Sequence, residues 1–431
     1  EGIVPELSRC HHLKSVLPYI HEVMTMKNKL WTRNFTLLIC ATTMGTIGSI
    51  AGGFALSFLV FDETGSTLAA ALILATQLIP GFLIPTFFAP WMDRLPRKPF
   101  LVAGDLVNGV LYTGMGIYLL SRPFSYMGYL GFSLVLACLG SFDSLAYNSI
   151  YPNLIPKGME DKGYAVSGML YPVLNVLMMP VSALLMDTIG VAWILIGQGG
   201  LSVLAAVTEH FIRLEEQNRL NGQRYTLSLW WQDLKDGFAY LRREKGLQGI
   251  YSYMAVTNGV AQGYGPLMIA FFRTMPGMTS FMYAMFSVAE FLGRSVGGVF
   301  CYRFRIEKKK KYGFAFFVYQ FYEIMDMSLL WLPYPLMLVN RGICGFLGIN
   351  SATMRQAAVQ SYIPDEFRAR VNALSGVMIL VMSSIFALLI GAMGEVMDLR
   401  ICMTLCAGLT LAVCWVTIGR RRKEISRIYE A

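Results

Sequence analysis

Long apolar runs separated by short polar turns dominate this chain. Runs long enough to cross about 30 Å of hydrocarbon fall near residues 34 to 60, 68 to 88, 99 to 120, 126 to 147, 164 to 187, 191 to 212, 248 to 272, 278 to 300, 312 to 332, 334 to 354, 371 to 394 and 398 to 418. The pattern predicts twelve membrane-crossing helices, because soluble domains do not string together apolar segments of about 20 residues. One long polar stretch stands apart, Arg213 to Lys245. Within it Leu227, Trp230, Trp231, Leu234 and Phe238 recur at helical spacing, which predicts an amphipathic helix on the inner membrane surface.

That stretch divides the spans into two sets of six, and an internal repeat supports the division. Ile155-Pro156 precedes Ala165, Ser167 and Gly168, and Ile363-Pro364 precedes Ala373, Ser375 and Gly376, every match at the same offset of 208 residues. The same shift carries Arg97 onto Arg305. The expected fold is an all-α polytopic membrane protein, with an N-terminal six-helix bundle over 26–212 and a C-terminal one over 248–420. Between them lies a cytoplasmic linker with the amphipathic helix, 213–247, and after them a basic cytoplasmic tail, 421–431. Residues 1–25 match neither a signal peptide nor a span. They are expected to be a non-native or disordered extension, with translation starting at Met24 or Met26 ahead of Lys27-Asn28-Lys29.

Composition agrees with the pattern: of 431 residues 55% are hydrophobic and 15% charged, against about a quarter charged in soluble domains, and mean hydropathy is +0.50. The net charge of +9 does not point to nucleic acid, because the bases sit at the ends of apolar runs instead of forming a stripe with interleaved aromatics. With both termini inside, only Arg122, Arg273 and Arg400 fall outside, and Arg294 and Arg341 lie within spans. The positive-inside rule is then met in every loop, which predicts a multi-pass protein of the cytoplasmic membrane. The cysteines Cys40, Cys138, Cys301, Cys344, Cys402, Cys406 and Cys414 lie in or beside apolar runs without any C-x-x-C pair, and read as small core residues. Cys10-His11-His12 lacks a fourth ligand for a metal, and His210 is the lone core histidine, so no metal or other cofactor is expected.

The most charged turn between two apolar runs is Ala89-Pro90-Trp91-Met92-Asp93-Arg94-Leu95-Pro96-Arg97-Lys98. An acid at a helix N-terminus with bases in cytoplasmic water suits a hinge, while any short cytoplasmic loop also collects such bases. This turn resembles the G-x-x-x-D-R-x-x-R-K loop between helices 2 and 3 of the major facilitator superfamily. Its D-R-x-x-R-K part is complete, and Ala89 replaces the leading Gly. With Thr64-Gly65-Ser66 and the long apolar hairpin, the chain resembles the branch of macrolide and siderophore (enterobactin) exporters over residues 27 to 420.

The resemblance implies two pseudo-symmetric bundles that bind substrate between them near the midplane and alternate access. It further implies that Asp93 caps a second-half helix near Asn372 and that Arg97 pairs with Asp143. Asp93, Arg94, Arg97, Lys98, Asp105 and Asp143 are accordingly expected to form a conformational gate, although Asp105 and Asp143 also read as ordinary interfacial charges. The chain departs from many drug/proton antiporters in two places: span 5 has Pro172 and Pro180 but no G-x-x-x-G-P, and span 1 has no acid.

Ionisable groups inside apolar spans are costly and therefore candidates for function. Glu290 and Arg294 are spaced i, i+4, Glu323 and Asp326 i, i+3, and Arg341 can reach Asp326 across the hairpin of spans 9 and 10. An acid that gains and loses an Arg partner can take up and release a proton, so these five are proton-coupling candidates; permanent structural pairs are the plainer alternative. Cavity candidates are Thr43, Thr46 and Gln77 on spans 1 and 2, Tyr171 and Asn175 on span 5, and Tyr251, Asn258 and Gln262 on span 7. Uncharged hydrogen-bonding groups beside Met and aromatic side chains suit a bulky amphipathic substrate; interhelical bonding is the alternative for each. The spacings Gly48/Gly52 and Gly293/Gly297 read as helix packing. No G-x-x-x-x-G-K-[S/T] occurs, so energy is expected from a gradient instead of an ATP site.

The expected protein is a monomeric, proton-coupled secondary transporter exporting a lipophilic or amphipathic compound (drug, macrolide or siderophore-like). Metabolite uptake and lipid movement are the alternatives among transporters, and a membrane receptor that keeps the fold without transporting is the alternative from another functional class. An enzyme is not expected, since no nucleophile-base pair is visible.

Overall fold

A computed structural model describes residues 30–92, 97–156, 158–213, 227–303 and 306–430, and every regular element among them is helical. The first half comprises α1 (Arg33–Thr64), α2 (Thr67–Met92), α3 (Arg97–Ser121), α4 (Tyr126–Leu154), α5 (Glu160–Thr188) and α6 (Val191–His210). After the linking helix α7 (Leu227–Arg243) come α8 (Lys245–Thr274), α9 (Ser280–Arg303), α10 (Lys308–Ser328), α11 (Tyr334–Tyr362), α12 (Asp365–Val396) and α13 (Leu399–Cys414), then α14 (Arg422–Glu430). The twelve expected spans are α1 to α6 and α8 to α13.

Among the described residues nine helices are by themselves long and apolar enough to cross a membrane: α1 to α6, α9, α12, and α13 with its continuation to Gly419. The other three spans carry more polar groups. α10 opens on Lys308-Lys309-Lys310-Lys311 and holds Glu323 and Asp326, and α11 holds Arg341 and Arg355. A less apolar helix can cross where its polar groups are satisfied against protein. Here Asp326 pairs with Arg341 and Glu323 accepts from Tyr253, Thr257 and Thr410.

The two halves pack by one plan. In the first, α1 packs on α5 and α6, α2 on α4, and α3 on α4 and α6; in the second, α8 packs on α12 and α13, α9 on α11, and α10 on α11 and α13. The repeat recognised in the sequence has a backbone counterpart. Ile155 and Ile363 end α4 and α11 in near-identical extended conformations, φ −82°, ψ 126° and φ −77°, ψ 125°. Both are buried, and a proline follows each, which disfavours helical backbone at the residue before it. Arg305, the repeat partner of Arg97, lies outside the described residues.

Close approaches use the small residues expected to pack helices. Gln198 of α6 lies over Gly48 and Gly52 of α1, and the α11 backbone at Gly342 and Phe346 lies over Gly293 and Gly297 of α9. At the end carrying Arg97-Lys98, Lys308 to Lys311 and Arg420 to Lys423 (the basic end), α7 rests on the second half. Tyr240 stacks on Phe367 with ring centroids 4.6 Å apart, and the Tyr362 hydroxyl donates to Glu244 Oε2 at 2.9 Å. Trp231 and Phe238 of α7 are exposed; the side chains of Leu227, Trp230 and Leu234 lie outside those described. The expected tail is helical and docked, with Ile425, Ile428 and Tyr429 of α14 buried in one cluster with Tyr312 and Tyr319.

Candidate functional site

Opposite the basic end, the two halves meet. α12 packs on α2 and α5 on α9, the same pairing seen from each half. Glu395 Oε1 at the end of α12 accepts from Ser66 Oγ at 2.7 Å, Thr67 Oγ1 at 3.2 Å and the Leu68 amide at 2.9 Å. An acid of the second half thus caps a first-half helix, where the exposed amides and the helix dipole favour negative charge. Asp187 at the end of α5 accepts from Ser280 Oγ of α9, with both oxygens at 3.3 Å. Arg273 Nη2 bonds Asp62 Oδ2 at 2.7 Å and its guanidinium lies 4.9 Å over the Phe58 ring. Beneath these polar contacts Phe54 and Phe58 meet Tyr283, so an apolar layer seals this far end.

Under that seal, between the halves, lies a cavity of about 470 Å³. Gln77 and Gln262, one from each half and both substrate-cavity candidates from the sequence, line it with Ser49, Ser57, Tyr112, Tyr129, Ser133 and Tyr283. Gln77 is oriented by its Nε2 donating to Ser133 Oγ at 2.9 Å. The described residues lining the cavity include no Asp, Glu, Lys, Arg or His. Such a lining can solvate hydroxyls and amides and cover apolar surface, but offers no counter-charge.

A second cavity of about 390 Å³ lies inside the first half, among α1, α3, α4, α5 and α6. It receives Thr46 and Tyr171 of the expected substrate set, and the two acids Asp105 and Asp143 expected at the gate. It also receives Glu209, which the sequence reading passed over. Glu209 is 3% exposed, and neither its Oε2 nor Asp143 Oδ1 has a hydrogen-bond partner. The two cavities share Ser49, Tyr112 and Leu136 as walls.

The remaining expected residues lie elsewhere. Asp93 and Arg94 are outside the described residues. Arg97 Nη1 donates to the Ser149 carbonyl at 3.0 Å, and the expected Arg97–Asp143 pair is not formed. Lys98 Nζ donates to the His210 carbonyl at 2.7 Å, and Asn372, the expected neighbour of Asp93, accepts from Gln360 Nε2 at 2.9 Å. Thr43 bonds the Ile39 carbonyl at 2.6 Å and Asn258 Nδ2 the Met254 carbonyl at 2.7 Å, each within its own helix. With Asn175 and Tyr251 they line neither cavity.

None of the five proton-coupling candidates lines either cavity. Arg294 Nε bonds Glu290 Oε1 at 2.9 Å along α9. Asp326 and Arg341 form a buried pair. Glu323, 3% exposed, is held between α8, α10 and α13 by the Tyr253 hydroxyl at 3.2 Å, the Thr257 hydroxyl at 3.3 Å and Thr410. Asp326, Arg341 and Glu323 thus bond between helices of the second half, whereas the Glu290–Arg294 pair runs along α9 alone.

A signal for the overlooked acids existed. Glu209 falls inside the sixth apolar run, where any ionisable group is a candidate, and Asp187 and Glu395 are separated by the repeat offset.

The comparisons with known proteins agree with this architecture. The family model for the Major Facilitator Superfamily matches residues 37–322. Among solved structures, the chain is similar to the nucleoside transporter NupG, at 11% identity over 91% of this chain and 100% of that one, with TM-score 0.65. It is similar to a bacterial homologue of the iron transporter ferroportin in its inward-facing state, at 14% identity over 94% and 100%, with TM-score 0.66. It is also similar to the POT family transporter PepTSo, at 10% identity over 92% and 99%, with TM-score 0.68. No curated protein sequence matches the chain. The chain belongs to the Major Facilitator Superfamily, the family of membrane transporters whose two packed six-helix halves it displays.

Proposed function

We propose that this protein is a proton-coupled secondary transporter of the cytoplasmic membrane that exports a lipophilic or amphipathic compound. Both termini and the basic end face the cytoplasm in this reading, since Lys and Arg within about 15–20 residues of the ends of membrane helices are retained on that side. The observation that carries the substrate class is the inter-half cavity: uncharged polar groups and aromatic rings from both halves around about 470 Å³, below a sealed far end. A small charged metabolite would call for a fixed counter-charge there, so the lining favours a bulky amphipath over metabolite uptake. One similar structure is a nucleoside transporter and another a bacterial homologue of an iron transporter, so the fold alone does not select a cargo. With no P-loop in the sequence, the driving force is an ion gradient, and the protein works as a monomer whose two halves rock about the cavity.

The test uses inverted membrane vesicles containing the protein, energised by an imposed pH gradient, with uptake of macrolides, lipophilic cations and catechol siderophores followed. Gradient-dependent uptake of one class, lowered in Gln77→Leu and Gln262→Leu, is the expected result. Absence of uptake of every compound in the wild type overturns export and turns attention to metabolite import or lipid movement.

A further inference from the structure

The acid-lined cavity in the first half is unusual in its charge. Asp105, Asp143 and Glu209 line it, and the described lining holds no Lys, Arg or His. The lysine and arginine nearest in sequence to Asp105 and Glu209, Lys98 and Arg213, are not among the lining residues. Lys98 is turned to the His210 carbonyl, and Arg213 follows α6, its amide bonded to Asn34 Oδ1. A carboxylate with no partner, removed from water, is among the costliest groups a membrane protein can carry. Glu209 nevertheless holds an unpartnered oxygen at 3% exposure, and Asp143 Oδ1 is likewise orphaned. A positively charged guest would supply what both lack.

The guest's size follows from the spacing of the acids. No group of three His, Cys, Asp or Glu among the described residues is close enough to hold a metal ion, so the carboxylates surround a volume instead of converging on a point. That volume, about 390 Å³, is walled by Tyr112, Tyr147 and Tyr171. Aromatic faces around dispersed acids suit an organic ammonium or phosphonium better than a compact, strongly hydrated ion. Because Ser49, Tyr112 and Leu136 also wall the uncharged inter-half cavity, a cationic head in the acid chamber leaves an apolar body beside Gln77 and Gln262.

We infer that the chamber formed by Asp105, Asp143 and Glu209 is a binding subsite for the cationic group of an organic amphipath, with the inter-half cavity receiving its apolar part. This rests on the transport reading above and names its substrate class: organic cations in preference to anions or neutral compounds.

Tetraphenylphosphonium and tetraphenylborate have the same shape and opposite charge. Their binding to the purified full-length protein in detergent, followed by equilibrium dialysis, reads the inference without any gradient. The expected result is saturable binding of tetraphenylphosphonium, little or none of tetraphenylborate, and affinity for the cation lowered about thirtyfold or more in Glu209→Gln and in Asp143→Asn, as removal of one partner of a desolvated charge pair requires. Equal binding of the two ions by the wild type overturns the inference, and this comparison needs no variant to fold. Unchanged affinity in both variants, each monodisperse, also overturns it, as does stoichiometric displacement of the phosphonium by millimolar Mg²⁺, Ca²⁺ or Mn²⁺, which would make the chamber an inorganic cation site. Failure of the transport reading looks different: the cation binds as expected while energised vesicles accumulate nothing.

Discussion

Asp187 and Glu395 stand 208 residues apart, the offset of the internal repeat, and each accepts a serine hydroxyl from the other half at the start of the helix it faces, Ser280 for Asp187 and Ser66 for Glu395. The far end is therefore latched twice by one device. The two latches differ in strength, because Glu395 also accepts the Leu68 amide at 2.9 Å while both Asp187 contacts are at 3.3 Å.

Removing the stronger latch is expected to loosen the far end. Glu395→Ala deletes a helix N-cap worth ~1 kcal/mol, enough to lower the closed population relative to the open one about fivefold. Spin labels at positions 63 and 396 would report a longer distance component in Glu395→Ala and a smaller one in Asp187→Ala. An unchanged distribution in both would show that the latches do not hold the end shut.

The α2–α12 contact depends on two glycines. A Cβ at Gly391 would meet Leu68 and Ala71, and one at Gly394 would meet Thr67. Gly391→Leu is expected to hold the halves apart at a cost of ~1–3 kcal/mol, the range for overpacking a close contact. Alkylation of a Ser57→Cys reporter in the inter-half cavity from the far side should rise in this background. Equal labelling with and without the leucine would contradict the packing account.

The Asp326–Arg341 pair is structural in this reading. Their side chains are 6% and 12% exposed, so Asp326→Asn leaves a buried guanidinium without its counter-charge, at ~3–5 kcal/mol. Thermal melting in detergent should fall sharply for that variant and for Arg341→Met, and recover most of the loss in Asp326→Leu/Arg341→Met. A double variant no better than the singles would place the pair's role outside packing.

Glu323 supplies a contrast. Held by three hydroxyls away from both cavities, it is expected to contribute ~1–3 kcal/mol to stability through its bonded network and nothing to coupling. Glu323→Gln should melt lower yet keep gradient-dependent uptake in vesicles. Stable protein without uptake would return Glu323 to the role of proton carrier.

Much of the architecture was legible along the chain. Apolar runs of membrane length, the polar stretch carrying α7 and the Ile-Pro repeat are local or periodic properties, and they determined the spans, the two halves and their pseudo-symmetry. The repeat even carried the turn geometry of Ile155 and Ile363, because a proline after a buried isoleucine restricts the backbone whichever half it sits in. For Gln77 and Gln262, residue chemistry on a spanning helix was enough to select them, and the structure brings them into one cavity.

What each acid does was decided only in three dimensions. Glu323 and Glu209 look alike in sequence, both carboxylates within apolar runs, yet one meets three hydroxyls and the other meets none. The Arg97 partnership that the family resemblance implies for Asp143 is not formed; Asp143 lines a chamber, and Arg97 donates to the Ser149 carbonyl. Whether a buried charge is paired, bonded or left facing a cavity depends on the rotation of each helix against neighbours that are more than 100 residues away, as Glu395 is from Leu68. The sequence by itself determined which segments lie in the membrane, because hydrophobicity acts on each segment alone. Only the packing of helices determined which polar groups meet, because a charge in a low-dielectric interior is governed by the few atoms that surround it.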